Sequence, residues 1–94
     1  MRHGGQILVD HLKAEGIRRV FSIPGESFLA VLDGLHDSGI QNVVCRHEGG
    51  AAMMAEAHAK LTGEVGIAFV TRGPGATNAS SGVHVARQDS TPMI

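Results

Sequence analysis

The sequence predicts an α/β fold, a parallel sheet with helices on both faces. Three observations carry this. Short apolar runs alternate with runs of helical periodicity. The joints between them are brief and marked by glycine or proline. One apolar run, Val65 to Val70 (VGIAFV), is unbroken, as in a strand buried on both sides. Alternating helices and strands with short joints give parallel strands linked by right-handed crossovers. The predicted order is αβαβαβαβ in a Rossmann-like three-layer arrangement.

Gln6 to Glu15 reads as the first helix, with Leu8 and Leu12 on one face, Ile7 beside them, and Gly16 as its C-terminal cap. Ile17 to Ile23 (IRRVFSI) reads as a strand cut off by Pro24-Gly25. Ser27 to Asp37 carries the clearest helical stripe, Phe28, Leu29, Val31, Leu32 and Leu35, and Ser38-Gly39 ends it. Ile40 to Cys45 is the second strand. Ala51 to Leu61 is the third helix, closed by Thr62-Gly63, and the Val65 to Val70 strand follows. Ala76 to about Gln88 is a fourth helix, loosened by Gly82. Thr91-Pro92-Met93-Ile94 reads as the start of a further strand, so residues 1–94 are expected to be an incomplete domain.

Composition narrows the function. At 94 residues the chain is one domain at most, with a thin core. Apolar residues at 43% and charged residues at 18% are a globular balance. A net charge of −1 offers no electrostatic footprint for nucleic acid or an anionic membrane. Aromatics at 3% leave no platform for stacking single-stranded bases. Cys45 is the only cysteine, which excludes an internal disulfide and a thiolate metal cluster. No run reaches membrane-spanning length, and Met1-Arg2-His3-Gly4-Gly5 leads into no signal-peptide core, so a cytoplasmic location is expected.

Ligands of parallel sheets bind beyond the carboxyl ends of the strands. Three turns occupy that edge: Pro24-Gly25-Glu26-Ser27, Arg46-His47-Glu48-Gly49 and Thr71-Arg72-Gly73-Pro74-Gly75. Glu48 falls where a strand gives way to a helix, a place that favours a carboxylate through free N–H groups and the helix dipole. One reading makes it a first-turn carboxylate serving its own helix. The other makes it a site residue, since Gly49, Gly50, Ala51 and Ala52 let a ligand come close. His47-Glu48 lacks the second histidine of the zinc motif H-E-x-x-H, because Ala51 stands there. The six histidines show no i, i+4 pair and read as surface or helix residues. Gly73 to Asn78 could cradle an anion, but it is neither a Walker loop nor a dinucleotide fingerprint. Ala51, Ala55 and Ala59 form a small-residue stripe, read either as helix–sheet packing or as the approach of a second subunit.

Taken together, Ile23-Pro24-Gly25, Arg46-His47-Glu48 and Thr71 to Asn78 (TRGPGATN) resemble the thiamine-diphosphate-dependent enzymes. The similarity is greatest to the acetolactate synthase and benzoylformate decarboxylase branch, and it covers essentially the whole chain. It implies the N-terminal, pyrimidine-binding domain of such an enzyme, truncated near its fourth strand. The glutamate at Glu48 would bond a ring nitrogen of the cofactor's aminopyrimidine and lend the proton that leads to a thiazolium ylide. In an enzyme of that family the ylide would attack a 2-oxo acid, carbon dioxide would leave, and the enamine carbanion would be protonated or added to an acceptor. A carboxyl that can hold a proton needs an apolar setting, to which Val43, Val44, Met53 and Met54 are expected to contribute.

The resemblance also implies that Pro74 and Asn78 lie by the aminopyrimidine. Gly25, Glu26 and Thr71 would face the substrate, Glu26 at a position where related enzymes carry Ser, Asp or Gly. Thr71 stands where benzoylformate decarboxylase-like members place a histidine. Diphosphate and Mg2+ would be held by a C-terminal domain with a Gly-Asp-Gly…Asn motif that these residues do not match, so no metal ligand is assigned here and the 94 residues alone are expected to be inactive. Family active sites form between subunits, so a homodimer or homotetramer is expected. The alternative from another class is a non-catalytic Rossmann-like nucleotide- or anion-binding module, which would have no use for a carboxylate at Glu48.

Overall fold

The computed structural model describes residues 2–94; Met1, at the head of the segment read for a signal peptide, lies outside them. In order, the elements are α1 (Gly4–Ala14), β1 (Arg19–Ser22), a 3-10 turn (Glu26–Phe28), α2 (Leu29–Leu35), β2 (Gln41–Val44), α3 (Glu48–Thr62), β3 (Ala68–Phe69), α4 (Pro74–Asn78) and α5 (Ser80–Gln88). The strands form a parallel sheet in the order β2-β1-β3. Residues 92–94 start a further parallel rung beyond β3, where Gly66 N–H donates to Pro92 O at 3.0 Å and Ile94 N–H to Gly66 O at 2.8 Å.

Alternation along β1 divides the core. Val20 points into a cluster with Val9, Leu12, Leu35, Ile40 and Ile67, beneath α1 and α2. Phe21, one residue on, points to the other face and packs with Ala51 and Ala55 of α3. Helices therefore cover both faces, as expected of an incomplete three-layer α/β domain. The alanine stripe is used up here. Ala51 and Ala55 are fully buried and Ala59 nearly so, against the chain's own sheet, which overturns its reading as a surface for a second subunit.

Several boundaries differ from expectation for visible reasons. The buried face of α1 is Gly5, Val9 and Leu12 rather than Leu8 and Ile7, which are 40% and 46% exposed. Gly5 sets this rotation. A Cβ there would fall 1.9 Å from Ala30 O, so α1 crosses α2 backbone to backbone at that point. His3 starts α1 with a capping box, its ring accepting from Gln6 N–H. The Ser27–Asp37 helix splits into the 3-10 turn and α2, and Leu29 drops out of the stripe at 61% exposed. The Val65–Val70 run pairs over a shorter stretch than expected. Only Gly66 and Ile67 in it are buried, because its outer side is covered by no more than residues 92–94.

The last helix breaks at Ala79, not at Gly82. Gly82 is instead the point where α5 meets α3: a Cβ there would lie 2.4 Å from Cβ of Ala52. His58, read with the other histidines as a surface or helix residue, is largely buried on α3 with its ring edge-on to Phe21 at 5.7 Å. At the amino edge of the sheet, Arg18 Nη2 donates to Glu64 Oε2 at 2.7 Å. That bond, with the charge behind it, holds the Glu64 carboxyl below the ordinary carboxylate range and pushes Arg18 up. No described helix is long and apolar enough to cross a membrane.

Candidate functional site

The strand order locates the site. From β1 the chain moves to β2 through α2 on one face, then back past β1 to β3 through α3 on the other. The connections leave β1 and β3 in opposite directions, and a crevice opens beyond their carboxyl ends. Gly25 and Glu26 after β1, and Thr71, Arg72, Gly73 and Pro74 after β3, line an open cavity of about 570 Å³ at that point.

Thr71 holds the two turns together. Its hydroxyl and that of Ser27 are 2.7 Å apart and share a hydrogen bond. Its side chain also wedges between two glycines. A Cβ on Gly25 would fall 2.6 Å from Thr71 Cβ, and one on Gly75 would fall 2.8 Å from Thr71 Cγ2. Both positions must be glycine for the turns to close this tightly. Gly73, at φ 67°, makes the reversal into α4, and Pro74 opens that helix.

Glu48 enters from the remaining turn. The helix begins at Glu48 itself, three residues before the expected Ala51, because His47 caps it: His47 Nδ1 accepts from Gly49 N–H at 2.9 Å. The cap and the first-turn carboxylate offset two glycines in the first turn, each costing about 1 kcal/mol relative to alanine. The Glu48 side chain reaches the third turn. Asn78 Nδ2 donates to Glu48 Oε1 at 3.4 Å, and a Cβ on Gly75 would lie 3.5 Å from Glu48 Oε2. That Oε2 has no hydrogen-bond partner among the described residues. Of the sequence neighbours expected to give it an apolar setting, Val43 is half-buried against the Phe21, Ala51 and Ala55 cluster, while Val44, Met53 and Met54 are 61%, 39% and 45% exposed.

Six sequence-selected residues thus resolve into two adjoining groups. Gly25, Glu26, Thr71 and Pro74 line the cavity, while Glu48 and Asn78 bond to each other beside it, with Gly75 between. Arg72 and Ser27 were not singled out. Arg72 lies inside the quoted motif, and its charge among uncharged neighbours was the available signal.

The family profile described as "Thiamine pyrophosphate enzyme, N-terminal TPP binding domain" matches residues 2–94. The chain belongs to the thiamine pyrophosphate enzyme family. Among curated relatives, it is 44% identical over 92 residues to acetolactate synthase isozyme 2 large subunit of Escherichia coli K12, covering 98% of this chain and 17% of that protein. It is 42% identical over 92 residues to the catabolic acetolactate synthase of Raoultella terrigena, covering 98% of the chain and 16% of the relative. It is 43% identical over 91 residues to acetolactate synthase of Bacillus subtilis 168, with 97% and 16% covered. The chain spans about a sixth of the length of these relatives.

The residues present suit the pyrimidine end of the thiamine cofactor. A flat ring with ring and exocyclic nitrogens needs a hydrogen-bonding carboxyl and an approach clear of side chains. Oε2 of Glu48 offers the first, and Gly50 beside it, where a Cβ would meet nothing within 4 Å, leaves room for the second. The same carboxylate faces the Gly73–Gly75 turn, which argues against an anion cradle there. Among the described residues no group of three or more His, Cys, Asp or Glu is placed to hold a metal ion.

Proposed function

We propose that this chain is the pyrimidine-holding part of a thiamine-diphosphate-dependent enzyme acting on 2-oxo acids, with acetolactate synthase-like decarboxylation and carboligation. The observation that carries this reading is the Glu48 carboxyl at the start of α3, one oxygen tethered by Asn78 and the other unengaged beside Gly75. When bound, the cofactor supplies the carbon nucleophile and electron sink that decarboxylation of a 2-oxo acid requires.

Glu48 would carry a proton at Oε2 and donate it to a ring nitrogen. Asn78 would fix the carboxyl's rotation, and Pro74 would bear on the ring edge from the cavity side. Gly25, Glu26 and Thr71 would face the substrate across the crevice. Mg2+ and the diphosphate would be held by a C-terminal domain, in a homodimer or homotetramer whose active site lies between subunits in the cytoplasm. The 94 residues by themselves would then be silent.

The test is Glu48→Gln in the full-length protein. The substitution keeps size and hydrogen-bonding reach but removes the transferable proton. Exchange of the thiazolium C2 proton for deuterium in the bound cofactor reports activation without any substrate. General acid–base contributions are about 10²–10⁴-fold, so exchange and turnover should fall together by at least that order. Exchange at the wild-type rate would leave Glu48 a helix-start carboxylate and end this reading.

A further inference from the structure

The cavity between the first and third turns contains two full charges of opposite sign, Glu26 and Arg72; its other lining residues, Gly25, Thr71, Gly73 and Pro74, carry none. Arg72 Nη2 and Glu26 Oε1 stand 3.8 Å apart, with side chains 74% and 83% exposed. That exceeds the roughly 2.7–2.9 Å of a charge-assisted hydrogen bond. A loose, solvated pair of this kind contributes little to folding. It also leaves the guanidinium's donors available. The turns themselves are held by Ser27 and Thr71 and do not need the pair.

A 2-oxo acid has one permanent charge, its carboxylate, and a planar guanidinium matches a carboxylate with two parallel N–H donors. Which carboxylate it holds follows from the chemistry. A carboxylate that must depart as carbon dioxide is poorly served by a cation. Such a contact stabilises the bound substrate more than a transition state in which that charge is draining away. A second 2-oxo acid, accepting the new carbon–carbon bond at its carbonyl, keeps its carboxylate in the product. We infer that Arg72 is a specificity-determining residue that holds the carboxylate of an acceptor 2-oxo acid, with Glu26 as a built-in competitor for the same guanidinium. The inference rests on the functional reading above. It assigns to Glu26 a defined effect: the carboxylate weakens anion binding and thereby sets the balance between charged and neutral acceptors.

The experiment supplies the full-length protein, cofactor and Mg2+ with pyruvate as donor. Pyruvate and acetaldehyde then compete as acceptors, since they present the same carbonyl with and without a carboxylate. The readout is the ratio of acid to neutral carboligation product, in which any general loss of activity cancels. Arg72→Gln should lower that ratio by about 10-fold, the scale of a hydrogen bond to a charged group. Arg72→Lys should restore it in part, and Glu26→Gln should raise it. A ratio within twofold of wild type for Arg72→Gln, in protein whose C2 proton exchanges normally, overturns the role of Arg72 alone. Absence of C2 exchange in the wild type instead overturns the functional reading on which it stands.

Discussion

Asn78 at the end of α4 donates its side-chain amide to Glu48 at the start of α3, across 3.4 Å. The bond is long, and it spans two turns that are far apart in the chain. It steadies the carboxyl without competing for its second oxygen. Asn78→Ala should therefore impair positioning while leaving the proton in place. A hydrogen bond of this class contributes about 0.5–1.5 kcal/mol, so C2 exchange should slow by roughly 2- to 12-fold. That is well short of the loss expected for Glu48→Gln. Equal losses in the two variants would show that Asn78 does more than orient Glu48.

Thr71→Val removes the hydroxyl that meets Ser27 and keeps the wedge between Gly25 and Gly75. Folding stability should drop by about 0.5–1.5 kcal/mol, because one hydrogen bond is lost with little change in packing. Urea unfolding measures this through the midpoint at constant slope. Thr71→Ser keeps the hydroxyl but gives up the wedging methyl, Cγ2, which a Cβ on Gly75 would approach to 2.8 Å. A larger loss in Thr71→Ser than in Thr71→Val would make the wedge, not the hydroxyl, the main link between the turns.

Gly82→Ala separates two accounts of α5. If glycine merely loosened the helix, alanine would stabilise it by about 1 kcal/mol. The structure places the new methyl 2.4 Å from Ala52 Cβ and 2.8 Å from Met53 N. Overpacking of this kind costs about 1–3 kcal/mol. Net destabilisation in urea, from α5 lifting off α3, is the expected outcome; a rise in the midpoint would contradict the contact.

The Arg18–Glu64 bond should be visible in the acid limb of stability. Its folded carboxyl is held below the ordinary value. The contribution is therefore complete above the unfolded value of about 4.3 and fades as pH falls through the depressed folded value. Glu64→Gln should flatten the stability profile in that window and leave its shape near neutrality unchanged. Lys60 behaves in the opposite sense. The hydrogen bonds it donates to Asp89 and then Glu56 raise it, so its contribution is present below the ordinary lysine range and disappears only as pH climbs through the raised value. Thermal unfolding from pH 3 to 11 would show both limbs.

How far the sequence could be read followed from which forces act locally. Hydrophobic period and glycine punctuation are local, and they placed every major element to within a few residues. The three carboxyl-edge turns followed from that order. What escaped was set by contacts between distant segments. Gly5 lies just before the helix start expected at Gln6, yet it anchors α1 against Ala30. Gly82 looked like a weakness in a helix and is a contact point. The cap at His47 was missed because a histidine ring accepting from the backbone has no compositional signature as plain as serine or aspartate. In the site, Glu48 stands out by its place at a strand-to-helix turn followed by small residues, and Asn78 only through family resemblance. Their pairing, and the separation of the cavity from that pair, depend on the close passage of Gly75.

The central position of β1 has a kinetic consequence. Its partner on one side, β2, is joined to it by a short α-helical connection; its partner on the other, β3, lies well downstream beyond α3. The first half can assemble through contacts between near neighbours, with α1, β1, α2 and β2 closing only small loops. Docking of β3 must wait for a longer closure. It must also wait for α3, since a Cβ on Gly66 would meet Ala55 O at 2.3 Å and the run passes directly under that helix. The last rungs of the sheet, Phe21 to Ala68 and Ser22 to Phe69, are thus the ones that bring the first and third turns face to face. The crevice rests on the strand pairing with the longer loop to close, Phe21 to Ala68 rather than Phe21 to Val43, the kind of non-local contact that slows folding.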